Sequence, residues 1–228
     1  MQLTHHDHYR IKDIVKNKTS PFIGLVRVYE NGVLNTDQTE DGWLTNMTIG
    51  KGREFANQAL FKMHTLTSTL GDISEHKIDH FGIGSGGSSV GANNEITLLG
   101  PSVCDEDLYI PTMLNTTCIA NSSGNVNVVK KITSTITGIL PGMIGQEIST
   151  DLEFTDCPLY YTITKCTCIV EPTEPTALNP GDITKIDEAV LYATDSNDQN
   201  PIPFAHICFA PKFMEKEGTL TIEWYIIF

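Results

Sequence analysis

The chain has little positive charge. Of 228 residues only 15 are Lys or Arg, against 28 Asp or Glu, for a formal net charge of −13. Three of the basic residues are arginines, Arg10, Arg27 and Arg53. A nucleic-acid binder needs a basic face that displaces counterions, and an anionic membrane surface asks for the same. Neither partner is expected. No apolar run approaches the roughly 18 residues that a membrane-spanning helix needs, so none is expected. The opening residues, Met1-Gln2-Leu3-Thr4-His5-His6-Asp7-His8, lack the apolar stretch of a secretory signal. Cysteine is sparse too. The six, at 104, 118, 157, 166, 168 and 208, are too few for a disulfide scaffold and are expected to be small buried hydrophobes.

Hydrophobic residues make up 40% of the chain, enough for a core, and charged residues only 19%. The remaining polarity comes largely from Thr, Ser, Asn and Gly. Short Thr-rich segments broken by Gly and Pro favour strands over long helices. The expected fold is mainly β, a β-sandwich-like domain over residues 21–228 that follows an N-terminal arm, residues 1–20. A Pro-rich stretch at 171–182 is a candidate connector. One long helix is expected near residues 52–66, with Phe55, Ala59, Met63 and Leu66 on one face and Leu60 and Phe61 widening it. Strands are expected at Phe22–Tyr29, at Ile78–Gly84, within 108–120 and 126–140, at 146–155, at Tyr160–Val170 and at Ile186–Tyr192. Two more follow, Phe204–Ala210, ended by Pro211, and the terminal Thr219–Phe228, where Leu220, Ile222, Trp224, Ile226 and Phe228 alternate at period two. Glu30-Asn31-Gly32 is a hairpin turn signal.

Gly82-Ile83-Gly84-Ser85-Gly86-Gly87 matches G-x-G-x-x-G after a strand. A dinucleotide site also needs a helix opening at the loop, and Ser88-Ser89-Val90-Gly91-Ala92-Asn93-Asn94 is poor helix sequence. The motif therefore reads as a flexible β-loop whose glycines take positive φ. His5, His6 and His8 with Asp7 could ligate a divalent ion, but a polar terminus reads first as a solvated tail. His206, in an apolar strand, reads as a satisfied half-buried histidine. Cys166 and Cys168 face one side of a strand; zinc would need two more ligands, for which Cys157 and Cys208 are the candidates. The expected state is unmetallated, with no cofactor. Asp105, Glu106 and Asp107 cluster, as do Asp195 and Asp198, and both groups read as solvated turns. No G-x-S-x-G and no cysteine-protease frame occurs, so an enzyme is not expected. The sequons at Asn17, Asn46, Asn115 and Asn121 read as chance matches in a Thr/Ser-rich chain.

Three segments in order carry a resemblance. They are Gly52–Leu60, Ile78–Leu98, and Ile186–Tyr192 followed by Phe204–Pro211 and the terminal strand. Together they resemble a group of tailed-bacteriophage virion proteins from necks, collars, tails and fibre attachments. In that group a helix precedes a Gly-rich strand end, and the domain closes on a strand with the pattern of Leu220-Thr221-Ile222-Glu223-Trp224-Tyr225-Ile226-Ile227-Phe228. The likeness spans roughly residues 40–228. This chain lacks the Pro after the Gly run, places Asn93 or Asn94 where the group has Asp, and has no counterpart over 102–131. The resemblance implies a β-sandwich-like domain that assembles into rings or trimers with copies of itself and with other virion proteins, and it implies no catalytic residues. The candidate contact sites are the arm, residues 102–125, and the loop Gly84, Ser85, Gly86, Gly87, Ser88 and Ser89. One rival is a receptor- or carbohydrate-binding fibre module using Trp43, Tyr160 or Tyr161. Another is a small glycan hydrolase using a carboxylate pair, with Asp105 or Asp107 in it.

Overall fold

A computed structural model describes residues 23–61, 70, 73–114, 118–125, 128–139, 162–175, 183–197, 199–215 and 217–227. The arm, the stretch 146–155, Cys157, Tyr160, Tyr161, residues 176–182, Asp198 and Phe228 lie outside these. So do the sequons at Asn17 and Asn115.

The chain opens with β1 (Ile23–Glu30), β2 (Val33–Leu34), β3 (Leu44–Thr45) and β4 (Met47–Thr48), then α1 (Gly50–Phe61). Next come β5 (Lys77–Gly84), β6 (Ser88–Val90), β7 (Ile96–Leu98), β8 (Val129–Lys131) and β9 (Ser134–Ile139). The last four strands are β10 (Thr162–Val170), β11 (Ile183–Thr194), β12 (Ile202–Glu215) and β13 (Leu220–Ile227). They form two main sheets, one in the order β2-β1-β13-β10-β9 with β3 also on β1, the other in the order β4-β12-β11-β5-β8. A separate hairpin pairs β6 with β7. The mainly β, sandwich-like class expected from composition is the class observed.

The core lies between the two main sheets. Val26 and Val28 of β1, Cys166, Cys168 and Val170 of β10, and Leu220, Ile222, Trp224 and Ile226 of β13 face it from one side. Phe81 and Ile83 of β5, Ala189, Leu191 and Ala193 of β11, and Ile207 and Phe209 of β12 face it from the other. The period-two pattern of the terminal strand thus reports a real inner face. Its opposite face is also buried, at Glu223, Tyr225 and Ile227. Here Tyr225 meets Trp43 edge to face at 5.0 Å, Arg27 stacks 3.9 Å over the Trp43 ring, and Lys165 pairs with Glu223. The Asn31-Gly32 turn forms as expected, with both residues at positive φ (50° and 78°).

Three expectations need correction. The helix starts at Gly50, and residues 62–66 lie outside the described ones. Its buried face carries Phe55 and Ala56, while Ala59 is exposed. The cause is its seat on β12, where Phe55 meets Phe204 edge to face, so close that a Cβ on Gly52 would lie 2.0 Å from the Phe204 carbonyl oxygen. Second, Pro211 does not end its strand. β12 runs on to Glu215, because between the pairs Ile186↔Lys212 and Glu188↔Cys208 the ladder carries an irregularity that holds Pro211. Third, the described residues of 108–120 form no strand. They make single bridges at Pro111, to Gly84, and at Ile119, to Val129.

Candidate functional site

Between β5 and β8 the chain leaves the sandwich, and an excursion (described over residues 102–114, 118–125 and 128) lies over the outer face of the second sheet. Leu108 and Val128 join Val129, Val190 and Tyr192 there in a small apolar cluster. What fixes this excursion is polar. Glu188, fully buried on β11, accepts the backbone N–H of Gly86 and of Ile110 at Oε1, both at 2.9 Å. Its Oε2 accepts the N–H of Tyr109 at 2.9 Å and lies 3.0 Å from His206 Nε2. Asp187 accepts the Gly87 N–H at 2.8 Å and the Ser88 hydroxyl, and pairs with Lys185 Nζ at 2.6 Å. Lys185 Nζ also donates to the carbonyls of Ser85 and Ser88. The β11–β12 irregularity beside Asp187 lets two consecutive carboxylates serve one loop.

Two more carboxylates complete the fastening. Asp107 accepts from the Tyr192 hydroxyl, the Leu108 N–H and the hydroxyls of Ser122 and Ser123. Asp105 accepts from the Ser102 N–H at 2.7 Å and the Tyr109 hydroxyl at 3.0 Å, and lies 2.9 Å from His206 Nδ1. Both nitrogens of His206, a residue with no exposed surface, therefore face carboxylate oxygens. An unpaired buried carboxylate is costly, whereas one accepting several N–H bonds is stabilised in its charged form. Burial, then the Asp107 charge, raises the Tyr192 hydroxyl well above its ordinary range. Burial, then Glu188, Asp187 and Asp105, pushes the Cys208 thiol up to about 12. That thiol is a poor nucleophile.

The glycine motif takes its meaning from this arrangement. Gly82, Gly84, Gly86 and Gly87 have ordinary rather than left-handed φ, so the positive-φ reading is corrected. Gly82, Gly84 and Gly86 are bare because the excursion lies on them, and Gly87 because a Cβ there would stand 2.1 Å from the Asp187 carbonyl oxygen of β11. A Cβ on Gly84 would sit 2.3 Å from Glu188 Oε1 and 2.5 Å from the Ile110 carbonyl oxygen. The adaptable-loop expectation for Gly84–Ser89 is corrected with it. Gly84, Gly86, Gly87 and Ser88 are buried and bound within the chain, Ser85 is half-buried, and Ser89 is exposed.

Beyond these anchors the excursion and the β6–β7 hairpin before it turn apolar side chains outward. Of the eleven exposed large hydrophobics among the described residues, seven fall between residues 90 and 113: Val90, Ile96, Leu99, Val103, Tyr109, Ile110 and Met113. Val90 is 63% exposed, Ile110 57% and Ile96 54%. The hairpin turn beneath Val90 and Ile96 is closed by a Gly91 N–H to Glu95 carbonyl bond, with Asn94 at positive φ.

Other candidates fare differently. Trp43 is buried under Arg27, with no open ring face. Cys166 and Cys168 lie in the sandwich core, where burial pushes Cys166 up to about 11 and holds Cys168 well above its ordinary value. Cys208 lies on the outer face of the other sheet beside His206. Among the described residues no group of three or more His, Cys, Asp or Glu is placed to hold a metal ion, and no helix is long and apolar enough to cross a membrane. Asp105 and Asp107 are fasteners rather than solvated turn residues. Asp79, His80 and Thr194 also meet, but Thr194 Oγ1 and Asp79 Oδ1 both contact Nδ1 of His80. A nucleophile–base–orienter relay needs the two ring nitrogens separately. His206, read as satisfied, is satisfied and fully buried. Glu188 and Asp187 escaped the sequence reading, although an acidic pair inside the apolar run Ile186–Tyr192 was a visible signal.

Comparison with family models, with curated proteins and with solved structures finds no match for this chain.

Proposed function

We propose that this chain is a structural component of a tailed-phage particle, made in the host bacterial cytoplasm and built into the virion as a neck, collar or tail connector or a fibre-anchoring protein. It acts by symmetric assembly, with copies of itself in a ring or trimer and with other virion proteins, and it needs no cofactor and no nucleic acid to do so. One observation supports this reading most: the exposed apolar surface of residues 90–113, fastened to the sheet through Glu188, Asp187 and Asp107. Contiguous apolar surface on a soluble domain marks a contact with another macromolecule, and a surface fastened beforehand loses little freedom on docking. The segment resemblance adds the class of particle. The native mass of the purified chain, measured across concentration and salt, tests the reading. A closed oligomer is the expected result, and a strict monomer at every concentration overturns self-assembly.

A second reading, glycan binding by a fibre module, rests on a different place. Asn121, Ser122, Gln199 and Asn200, with Ile119, Ala120 and Pro201, line a cleft of about 550 Å³. The Asn121 side-chain Nδ2 is buried there without a hydrogen-bond partner. Uncharged amides and hydroxyls suit a neutral polyhydroxyl ligand. Glycan-array binding that is lost in Asn121→Ala would favour it.

A further inference from the structure

We infer that the surface of residues 88–113 is the seat for the N-terminal arm, residues 1–20, of a neighbouring copy of this chain. The inference rests on the assembly reading above and names the two parts that meet.

The first ground is the character of the seat. Val90, Ile96, Val103 and Ile110 are exposed, and so are Glu95 and Glu106. No Lys or Arg occurs between Lys77 and Lys130. The seat is therefore apolar and acidic, and its complement must be apolar and basic. Two such seats cannot pair with each other without opposing their own carboxylates.

The second ground is where this chain keeps its positive charge. Residues 1–20 contain Arg10, Lys12, Lys16 and Lys18 against Asp7 and Asp13, a net charge of +2 in a chain of −13. The same stretch carries Leu3, Ile11, Ile14 and Val15. Five of the lysines elsewhere are committed within their own chain. Lys77 pairs with Asp79, Lys130 with Glu174, Lys165 with Glu223, Lys185 with Asp187 and Lys212 with Asp37. Arg27 stacks on Trp43. Among the segments of this chain, the arm matches the seat in both charge and apolar content.

The third ground is fixation. Glu188 holds the N–H groups of Tyr109 and Ile110, and Asp187 holds Gly87 and Ser88, so the seat is set before the arm arrives. An arm passed from each copy to the next is a heterologous contact. Repetition of such a contact closes a ring or trimer when the rotation allows it.

The seat carries its own reporter, the exposed thiol of Cys104. Full-length chain with Lys12→Cys or Lys16→Cys is oxidised as an equal mixture of isotopically light and heavy protein, and the linked peptides are mapped. Disulfides between the introduced thiol and Cys104 that join light to heavy chains are expected. Links confined within single chains overturn the inference. In parallel, native mass is measured for the charge-reversed arm (Arg10→Glu, Lys12→Glu, Lys16→Glu, Lys18→Glu) and for Ile96→Asp with Ile110→Asp, with circular dichroism verifying the fold. Each is expected to weaken association by about 100-fold, and adding Glu95→Lys and Glu106→Lys to the reversed arm is expected to restore much of it. Oligomers of unchanged mass in the folded reversed-arm chain overturn the arm's role while leaving self-assembly standing. A wild-type chain that stays monomeric overturns the assembly reading itself.

Discussion

The two faces of the β4-β12-β11-β5-β8 sheet are closed by opposite chemistry. The inner face packs Phe81, Ile83, Leu191, Ile207 and Phe209 against Val26, Ile222 and Trp224 of the facing sheet. That contact is non-directional, and a neighbour can shift to fill a small loss. The outer face carries five residues in its apolar cluster, Leu108, Val128, Val129, Val190 and Tyr192, and is otherwise held by Glu188, Asp187, Asp107 and Asp105–His206. Each of those bonds has a length and a direction, so the excursion has one register on the sheet. The difference separates two tasks. The apolar face supplies most of the stability, and the polar face fixes where a surface loop stands.

The largest effect is expected from removing a fastener. Glu188→Ala strands three backbone N–H groups and His206, and should cost about 4 kcal/mol of unfolding free energy, read from urea denaturation. A cost below about 1 kcal/mol would mean that the outer face is held by its apolar cluster after all. Next comes Gly84→Ala, whose Cβ meets Glu188 and the Ile110 carbonyl. It should cost about 2 kcal/mol and raise amide exchange over 102–113 while the core amides stay protected. On the inner face Phe209→Leu, a comparable change in volume, should cost only about 1 kcal/mol, with exchange unchanged in the excursion. The smallest effect sits at the sheet's end. Burial pushes the Asp79 carboxyl up, but hydrogen bonds from Thr194 and His80 outweigh it and hold the group below its ordinary 3.8. The unfolded chain therefore binds this proton first, so the stability Asp79 contributes is complete above about pH 4 and is lost as pH falls below that. Asp79→Asn should flatten that acid limb in denaturation curves taken from pH 5 to pH 2.5. An unchanged slope would assign the limb to other carboxylates.

The sandwich was legible because its signals are local. Leu220 through Ile226 alternate within eight residues, and the Asn31-Gly32 turn sits between its two strands. The fastenings were not legible, because their halves are far apart in the chain. Gly86 and Glu188 are 102 residues apart and Tyr192 and Asp107 are 85 apart, so Gly86 alone looked like a flexible loop and Asp107 like a turn. Pro211 misled for a related reason. The irregularity that accommodates it belongs to the pairing with β11, not to its own neighbours. Ala59 looked buried because helical spacing fixes which residues share a face, while the partner, here Phe204 of β12, decides which face turns inward.

The position of β11 has a mechanical side. The excursion is tied to Glu188, and the Gly86–Ser88 loop beside it to Glu188 and Asp187, on a strand flanked by β12 and β5. A pull on the excursion therefore reaches the middle of the sheet, where both neighbouring ladders share the load, and not an edge strand that could be peeled away one bond at a time. A chain fastened in this way can pass tension from its outward apolar side chains into its body with the fold intact.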